Sequence, residues 1–218
     1  MRPATGHEPD PGGLRFDAAL RARMHGNLQL FPRRAHPRSG LRAAAVAVVL
    51  LPDPDGRPCF VLTRRAAGMR SHSRQWALPG GRLDAGETAV AAALRELAEE
   101  IGLVVAHDRV LGLLDDYPTR SGYVITPVVV WGPREASLVP NPAEVSELHR
   151  IPLAELEHPS VPQLRRIPES PREVISIPLL GTNVHAPTAA VLYQVREVAL
   201  HGRPTRVAHY EQPVFAWK

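Results

Sequence analysis

The sequence of 218 residues contains a single cysteine, Cys59. One cysteine cannot form a disulfide within the chain, and such scarcity is typical of proteins that work in a reducing cytosol. Cys59 begins a short apolar run that ends at Leu62. A buried structural thiol is a better expectation there than a nucleophile, so we expect no cysteine-based chemistry.

Long hydrophobic runs are also missing. The longest apolar stretch runs from Ala43 to Leu51, whereas a helix needs about 20 apolar residues to cross a bilayer. The first residues are rich in proline and glycine and lack the apolar core of a signal peptide. These absences predict a soluble, cytoplasmic protein with no membrane partner.

Lysine occurs only at Lys218, so arginine carries nearly all of the positive charge, and the net charge is +4. Arginine pairs with phosphate oxygens through two parallel hydrogen bonds, which suits phosphate-bearing ligands. Genomic base composition is the alternative explanation for this bias. No run of five basic residues occurs, so the sequence predicts no nucleic-acid partner.

Hydrophobic residues make up 44% of the chain and aromatic residues 5%, which predicts a globular core filled by aliphatic side chains. Strands and helices are predicted to alternate without a regular period, which favours an α+β fold with a mixed sheet between helices. We predict an N-terminal extension with a short helix (1–37), a main domain (38–201) and a tail (202–218). The predicted strands cover 41–51, 60–64, 75–78, 110–114, 123–131, 144–151 and 174–180, the helices 16–30, 88–101, 153–156 and 187–200, and a proline-rich loop 158–172.

The predicted helix 88–101 concentrates carboxylates on one side. At about 100° per residue, Glu99 lies near −60° and Glu100 near +40° from Glu96. Like charges at this spacing destabilise a bare helix, but a divalent cation among them would offset the repulsion. A solvated acidic face is the alternative interpretation.

The wider spacing argues against that alternative. Gly81 is followed after five residues by Glu87 and after seven more by Arg95-Glu96-Leu97, and then come Glu99-Glu100 and Gly102-Leu103. At roughly 7% per fixed residue, chance gives this pattern in well under about one in a million chains. The pattern resembles the Nudix box, which identifies a family of hydrolases that cleave pyrophosphate linkages.

The resemblance implies a Nudix fold, with a mixed sheet between helices as three layers, and assigns residues 38–201 to the Nudix domain. It implies that Glu96, Glu99 and Glu100 bind Mg²⁺ or Mn²⁺, and that the Gly81 carbonyl offers a further ligand. Metal ions neutralise the adjacent phosphate charges and lower the pKa of water.

The same resemblance gives supporting roles to other residues. Arg95 would orient a glutamate of the set through an ion pair, and Glu87 would support the site from outside the group of metal ligands. Glu144 is a candidate later-loop carboxylate, as a metal ligand or as the general base. An exposed pair with Glu147 is the alternative interpretation for Glu144.

A second pattern precedes the box. Leu62-Thr63-Arg64-Arg65-Ala66, then Arg70, then Leu78-Pro79-Gly80-Gly81 are similar to the segment that marks Nudix coenzyme A pyrophosphatases. Arg74 replaces a glycine of that pattern, and Leu78 replaces a phenylalanine. Arg65 and Arg70 match the two arginines of that segment. Together with Arg74 they lie in one loop before the box, so we expect all three to bind phosphates of the substrate. Solvated surface arginines are the alternative interpretation.

We therefore expect a metal-dependent pyrophosphohydrolase that converts coenzyme A or acyl-CoA to 3′,5′-ADP and a 4′-phosphopantetheine product. The expected partner is a small nucleoside diphosphate substrate, and a homodimer is left open. Another nucleoside diphosphate derivative, such as ADP-ribose or NADH, is the nearest alternative substrate. A non-catalytic domain that only binds nucleotides is the alternative from a different class.

Overall fold

A computed structural model describes residues 13–37, 40–66 and 75–217. Among them, eight strands form a central sheet. Its strands are β1 Arg42–Pro52, β2 Pro58–Arg65, β3 Trp76–Ala77, β4 Gly80–Arg82, β5 Val110–Leu113, β6 Tyr117–Pro118, β7 Tyr123–Trp131 and β8 Val145–Pro152. β1 and β7 pair in parallel and the other pairs are antiparallel, so the predicted mixed sheet is confirmed.

β1 lies at the centre of this sheet and is buried on both faces, as its continuous apolar sequence predicts. Val48 and Leu50 belong to the apolar core on one face, while Val49 and Leu51 belong to the core on the other. Successive side chains of a strand point to opposite faces. The consecutive valines and leucines at 48–51 therefore contribute side chains to the cores on both faces of the sheet.

Helices cover both faces and complete the predicted three layers. Their bounds are α1 Ala18–Leu30, α2 Ala89–Ile101 and α3 Thr188–Gln194, which continues as a wider π-helical segment Val195–Leu200. α2 packs on the face of Val49, whereas α1 and α3 pack on the face of Val48.

Each end of α2 is fixed by a capping residue. The Thr88 hydroxyl accepts a hydrogen bond from the Ala91 amide at 3.1 Å, which satisfies a donor of the first turn. Gly102 ends the helix with a left-handed φ of 68°, the predicted role of this glycine. Ala93, Leu97 and Ile101 are buried against the sheet.

A second sheet of three antiparallel strands corrects the predicted loop 158–172. It consists of β9 Gln163–Ile167, β10 Ser170–Leu179 and β11 Thr182–His185. Pro162 and Pro168 flank β9, and Pro171 lies where the β9–β10 register is irregular. Prolines are tolerated at strand ends and bulges, so their number does not exclude a hairpin here.

The terminal segments pack on the rest of the chain. From α1, Leu20, Met24 and Leu28 are buried in the larger core. Near the C-terminus, Val207 joins the same core, and the Tyr117 hydroxyl donates to the Tyr210 carbonyl at 2.9 Å. In the part of the chain that the structure describes, the helices are too short or too polar to cross a membrane.

Candidate active site

A cleft of about 1290 Å³ lies between the central sheet, α2 and the second sheet. Its lining includes carboxylates of α2, residues 182–188 and part of the C-terminal tail. The cleft therefore brings the predicted catalytic helix together with segments far from it in the sequence.

Arg95 connects four groups beside this cleft. Its guanidinium donates to both oxygens of Glu87 at 3.0 and 3.1 Å, to Glu96 at 2.9 Å and to Glu99 at 2.8 Å. It also donates to the Arg82 carbonyl at 3.0 Å. Hydrogen bonds from Arg95 lower the pKa of Glu87, which is therefore anionic at neutral pH.

Glu96 also belongs to a group of three carboxylates that meet inside the cleft. One oxygen each from Glu96, Glu100 and Glu144 lies within 4.8 Å of the other two. Glu96 and Glu100 are buried, at 9% and 3% exposure. The structure therefore places Glu144 beside two glutamates of the helix. The Glu99 side chain is 53% exposed and pairs with Arg95 outside this group.

Backbone hydrogen bonds hold Glu144 in this position. The Asn141 amide donates to the Glu100 carbonyl at 2.8 Å, so the loop before β8 is fastened to the end of α2. The Ala66 amide donates to the Glu144 carbonyl at 2.8 Å, which ties the same loop to the end of β2. Both are hydrogen bonds between backbone groups, so no pattern of side chains in the sequence predicts them.

Two glycines bring the chain close to the carboxylates. A Cβ on Gly81 would lie 2.1 Å from a carboxylate oxygen of Glu96, and one on Gly80 would lie 2.3 Å from the Ala45 carbonyl. Any other residue would displace the strand or the glutamate. The Gly80 amide also donates a hydrogen bond to Glu100. The sequence Gly80-Gly81 therefore lets β4 pass directly beneath the carboxylates.

Burial and mutual repulsion disfavour the charged forms of the buried glutamates. Burial raises the pKa of Glu100 to about 7, although Arg65 opposes the shift. Burial also raises the pKa of Glu96, against the effect of Arg95. Carboxylate oxygens are the preferred ligands of hard divalent cations. A bound cation would offset both the energetic cost of burying these charges and the repulsion between them. This donor set therefore fits Mg²⁺ or Mn²⁺.

Of the three arginines predicted to bind substrate, Arg65 lies beside the carboxylates. Its NH1 is 3.7 Å from a Glu100 oxygen, and the side chain lines the cleft. Arg70 and Arg74 lie outside the described residues. Glu147 also lines the cleft, but it pairs with Arg64 at 2.6 Å and is absent from the carboxylate group.

Sequence patterns missed two parts of the cleft. Arg42 and Arg82 lie over the Tyr123 ring, with guanidinium carbons 4.1 and 5.4 Å from its centre. The lining also includes Leu180 and Phe215, which are large apolar residues that remain 42% and 62% exposed. Strand register and tail docking create both features, and neither has a local sequence pattern.

The model of the NUDIX domain family matches residues 41–174 of this chain, which include the whole carboxylate group. The chain belongs to the Nudix family. Membership in this family agrees with the site, because Nudix hydrolases use divalent metals and act on nucleoside diphosphate derivatives.

Two relatives each match more than half of this chain. A protein of Photorhabdus laumondii named uncharacterized Nudix hydrolase NudL is 40% identical over 129 residues, which are 59% of this chain and 68% of that protein. Nudix hydrolase 3 of Caenorhabditis elegans is 36% identical over 138 residues, or 60% of this chain and 58% of that protein. Together with the family match, these relatives indicate that the chain is a hydrolase of pyrophosphate linkages.

A solved structure shows the same fold. A Nudix hydrolase from Nitrosomonas europaea has a TM-score of 0.51 and 18% identity, and the match covers 76% of each chain. The predicted three-layer Nudix fold is thereby confirmed.

Proposed function

We propose that this chain is a Mg²⁺- or Mn²⁺-dependent pyrophosphohydrolase that cleaves the diphosphate of coenzyme A or acyl-CoA. The products would be 3′,5′-ADP and 4′-phosphopantetheine or its acyl derivative. One observation carries the proposal: Glu96, Glu100 and Glu144 meet in a cleft that also holds arginines and an apolar wall. Coenzyme A combines phosphates with a long, weakly polar arm, so it suits both parts of that cleft.

Within this proposal, Glu96, Glu100 and Glu144 hold the metal, with Glu99 and the Gly81 carbonyl as further candidate ligands. The bound ion supplies charge neutralisation for the diphosphate and activation of water. Glu144 is also the candidate general base. Among the described residues, its carboxylate accepts one long hydrogen bond, at 3.4 Å from the side-chain Nδ2 of Asn141, which leaves oxygen lone pairs for a proton from water.

Arg95 and Glu87 position the carboxylates. Arg95 donates to Glu96 and Glu99 at once, so it fixes the rotamers of two candidate ligands. Glu87 holds the other side of the same guanidinium through two hydrogen bonds. A preorganised site of this kind need not reorganise when substrate binds.

Arg65 is the described candidate for contact with the substrate phosphates. Its NH1 is 3.7 Å from Glu100, which is longer than a hydrogen bond, so its donors remain available to an incoming oxygen. Arg70 and Arg74 retain their predicted role in phosphate binding. The proposal includes a cytoplasmic location and a homodimer.

Two alternatives are another nucleoside diphosphate substrate and a non-catalytic nucleotide-binding domain, and each makes a different demand on the residues of the cleft. ADP-ribose or NADH would present a second ribose where coenzyme A presents its weakly polar arm, and the exposed Leu180 and Phe215 favour the arm. A non-catalytic nucleotide-binding domain would not require a buried group of three carboxylates, each repelling the others and the phosphates. That group therefore favours catalysis.

The test is a substrate screen with Mg²⁺ and with Mn²⁺. Coenzyme A, acetyl-CoA, ADP-ribose, NADH and nucleoside triphosphates are each incubated with the wild type, and products are identified by mass. We expect 3′,5′-ADP from the coenzyme A substrates with the highest kcat/KM. Preferential turnover of ADP-ribose or NADH would replace the coenzyme A proposal, and no turnover of any substrate would support the non-catalytic alternative.

A further inference from the structure

Five arginines of the described residues line the cleft, and they differ in what neutralises them. Arg64 pairs with Glu147, Arg65 with Glu100, and Arg95 with the glutamates of the box. Within the described part of the chain, Arg42 and Arg82 have no carboxylate within 4.0 Å. Two positive charges therefore remain uncompensated in a cleft that otherwise pairs its arginines.

The register of the sheet places these two arginines together. Arg42 of β1 is the partner of Tyr123 on β7, and Arg82 of β4 is the partner of Ala44 on β1. Residues two apart on a strand share a face, so Arg42 and Ala44 point to the same side of the sheet. The small Ala44 side chain leaves room between the two longer ones. The pair is thus produced by three strands.

Tyr123 orients both guanidinium groups. They lie 4.1 and 5.4 Å from the centre of its ring, which attracts cations through its electron-rich face. Two like charges that share one ring repel each other, and an anion between them would remove that repulsion. The Ser121 side chain also lines the cleft and carries a hydroxyl group, whereas the Thr119 hydroxyl already donates to the Tyr123 carbonyl at 3.2 Å.

This cationic pair adjoins the carboxylate group without belonging to it. The Arg82 carbonyl accepts a hydrogen bond from Arg95 at 3.0 Å, and the preceding residue, Gly81, lies against Glu96. A substrate whose diphosphate lies at the carboxylates therefore reaches the pair with a neighbouring group. Two guanidinium groups that lack a carboxylate partner among the described residues match the charge of a phosphate monoester, about −1.5 to −2 at neutral pH.

We propose that Arg42 and Arg82, oriented by Tyr123, form a subsite for a phosphate monoester of the substrate that is not hydrolysed. The subsite rests on the proposed function, because it presumes that the scissile diphosphate occupies the adjacent carboxylates. It specifies the substrate class as a nucleoside diphosphate derivative with an additional phosphate on its ribose. Arg65 differs in that it already faces Glu100.

The test is equilibrium binding, which does not depend on turnover. Titration calorimetry compares adenosine 3′,5′-bisphosphate with AMP, on the wild type and on the Arg42→Gln, Arg82→Gln double variant. We expect the wild type to bind the bisphosphate at least about tenfold more tightly than AMP, since charged hydrogen bonds to phosphate are strong. The double variant should lose most of that preference and keep its affinity for AMP within about threefold.

Two matched variants guard against general damage. Arg23→Gln removes an exposed arginine of α1 outside the cleft and should leave both affinities unchanged. Arg42→Lys with Arg82→Lys keeps the charge but loses the two-pronged geometry, so an intermediate preference is expected. Circular dichroism and the melting temperature confirm that each variant is folded.

Three results would overturn the subsite. These are a wild type without preference for the bisphosphate, a double variant that keeps the preference, and a double variant that loses AMP affinity in equal proportion. The last would assign the pair to the 5′-phosphate. The substrate screen is independent of these measurements, so failure of hydrolysis and failure of the subsite are separate results.

Discussion

Glu211, seven residues before the end of the chain, forms a two-point ion pair with Arg120, in the turn that precedes β7. The Nε–Oε1 distance is 3.1 Å, and the second contact joins NH2 to Oε2. Ser170 and the Gln212 amide donate to the same carboxylate at 2.8 and 3.0 Å. Glu211 thereby fastens the tail to both sheets.

Breaking this ion pair should loosen the tail. Glu211→Gln removes the charge that satisfies Arg120 and Ser170, so we expect the free energy of unfolding at pH 7 to fall by about 1–3 kcal/mol. Urea unfolding measures the change. Glu169→Gln removes an exposed carboxylate near β9 and is the matched control. Equal stability of the two variants would mean that the tail is held by its apolar contacts alone.

The same variant carries a pH signature. Hydrogen bonds from Arg120 lower the pKa of Glu211 from 4.5 to about 2. A carboxyl group whose pKa is lower in the folded state stabilises the fold at pH values above its unfolded-state pKa. That contribution disappears as the pH falls towards its folded-state pKa. The stability difference between wild type and Glu211→Gln should therefore be constant above about pH 5 and shrink between about pH 4.5 and pH 2.

Glu100→Gln should reduce kcat by at least about a hundredfold at saturating Mg²⁺, comparable to the loss of a major electrostatic contact. Glu100 is buried in the carboxylate group, so a neutral side chain there weakens metal binding directly. Steady-state kinetics on the preferred substrate of the screen measures the effect. Glu135→Gln, an exposed position outside the cleft, should retain full activity. Near-normal turnover of Glu100→Gln would remove Glu100 from the proposed ligands.

Without metal, the same substitution should stabilise the fold. Burial raises the pKa of Glu100 from 4.5 to about 7, so the folded state takes up a proton between these values and loses stability as the pH rises through them. In EDTA, Glu100→Gln should exceed the wild type by about 1–3 kcal/mol at pH 8, and the difference should nearly vanish at pH 4.5. Urea unfolding across this range measures it. A difference independent of pH would contradict the raised pKa.

Metal binding should distinguish Glu144 from Glu99. Millimolar Mg²⁺ or Mn²⁺ should raise the melting temperature of the metal-free wild type, because an ion that binds the folded state stabilises it. Glu144→Gln should abolish most of this increase, since Glu144 belongs to the buried carboxylate group. Glu99→Gln should retain more of it, because Glu99 pairs with Arg95. The reverse order would place the ion on the exposed side of α2.

Local patterns predicted the central parts of the fold. The apolar run of β1 indicated a strand buried on both faces, and the alanine-rich stretch that ends at Gly102 indicated α2. The sequence does not predict the hairpin of β9 and β10, because the prolines of this segment favour a loop and strand pairing leaves no local pattern. Docking of the tail depends on Glu211 and Arg120, which are 91 residues apart, and no local pattern can indicate it.

The candidate site was also predicted only in part. Helical spacing brought Glu96 and Glu100 together, and the structure places them so. The spacing also grouped Glu99 with them, but its side chain turns to Arg95 instead. A backbone connection from Asn141 to Glu100 positions Glu144, and the pairing of three strands positions Arg42 near Arg82. Contacts of that kind follow from register, which sequence periodicity does not specify.

Leu180, Phe215 and other lining residues of the cleft lie beyond the stretch 41–174 that the family model matches. The exposed apolar part of the cleft is thus encoded apart from the carboxylates. Phe215 or Leu180 can be exchanged without disturbing the helix of Glu96 and Glu100. A mutant library confined to these later positions would vary substrate range on a constant catalytic background, and it offers a direct route to re-engineering the enzyme's preference.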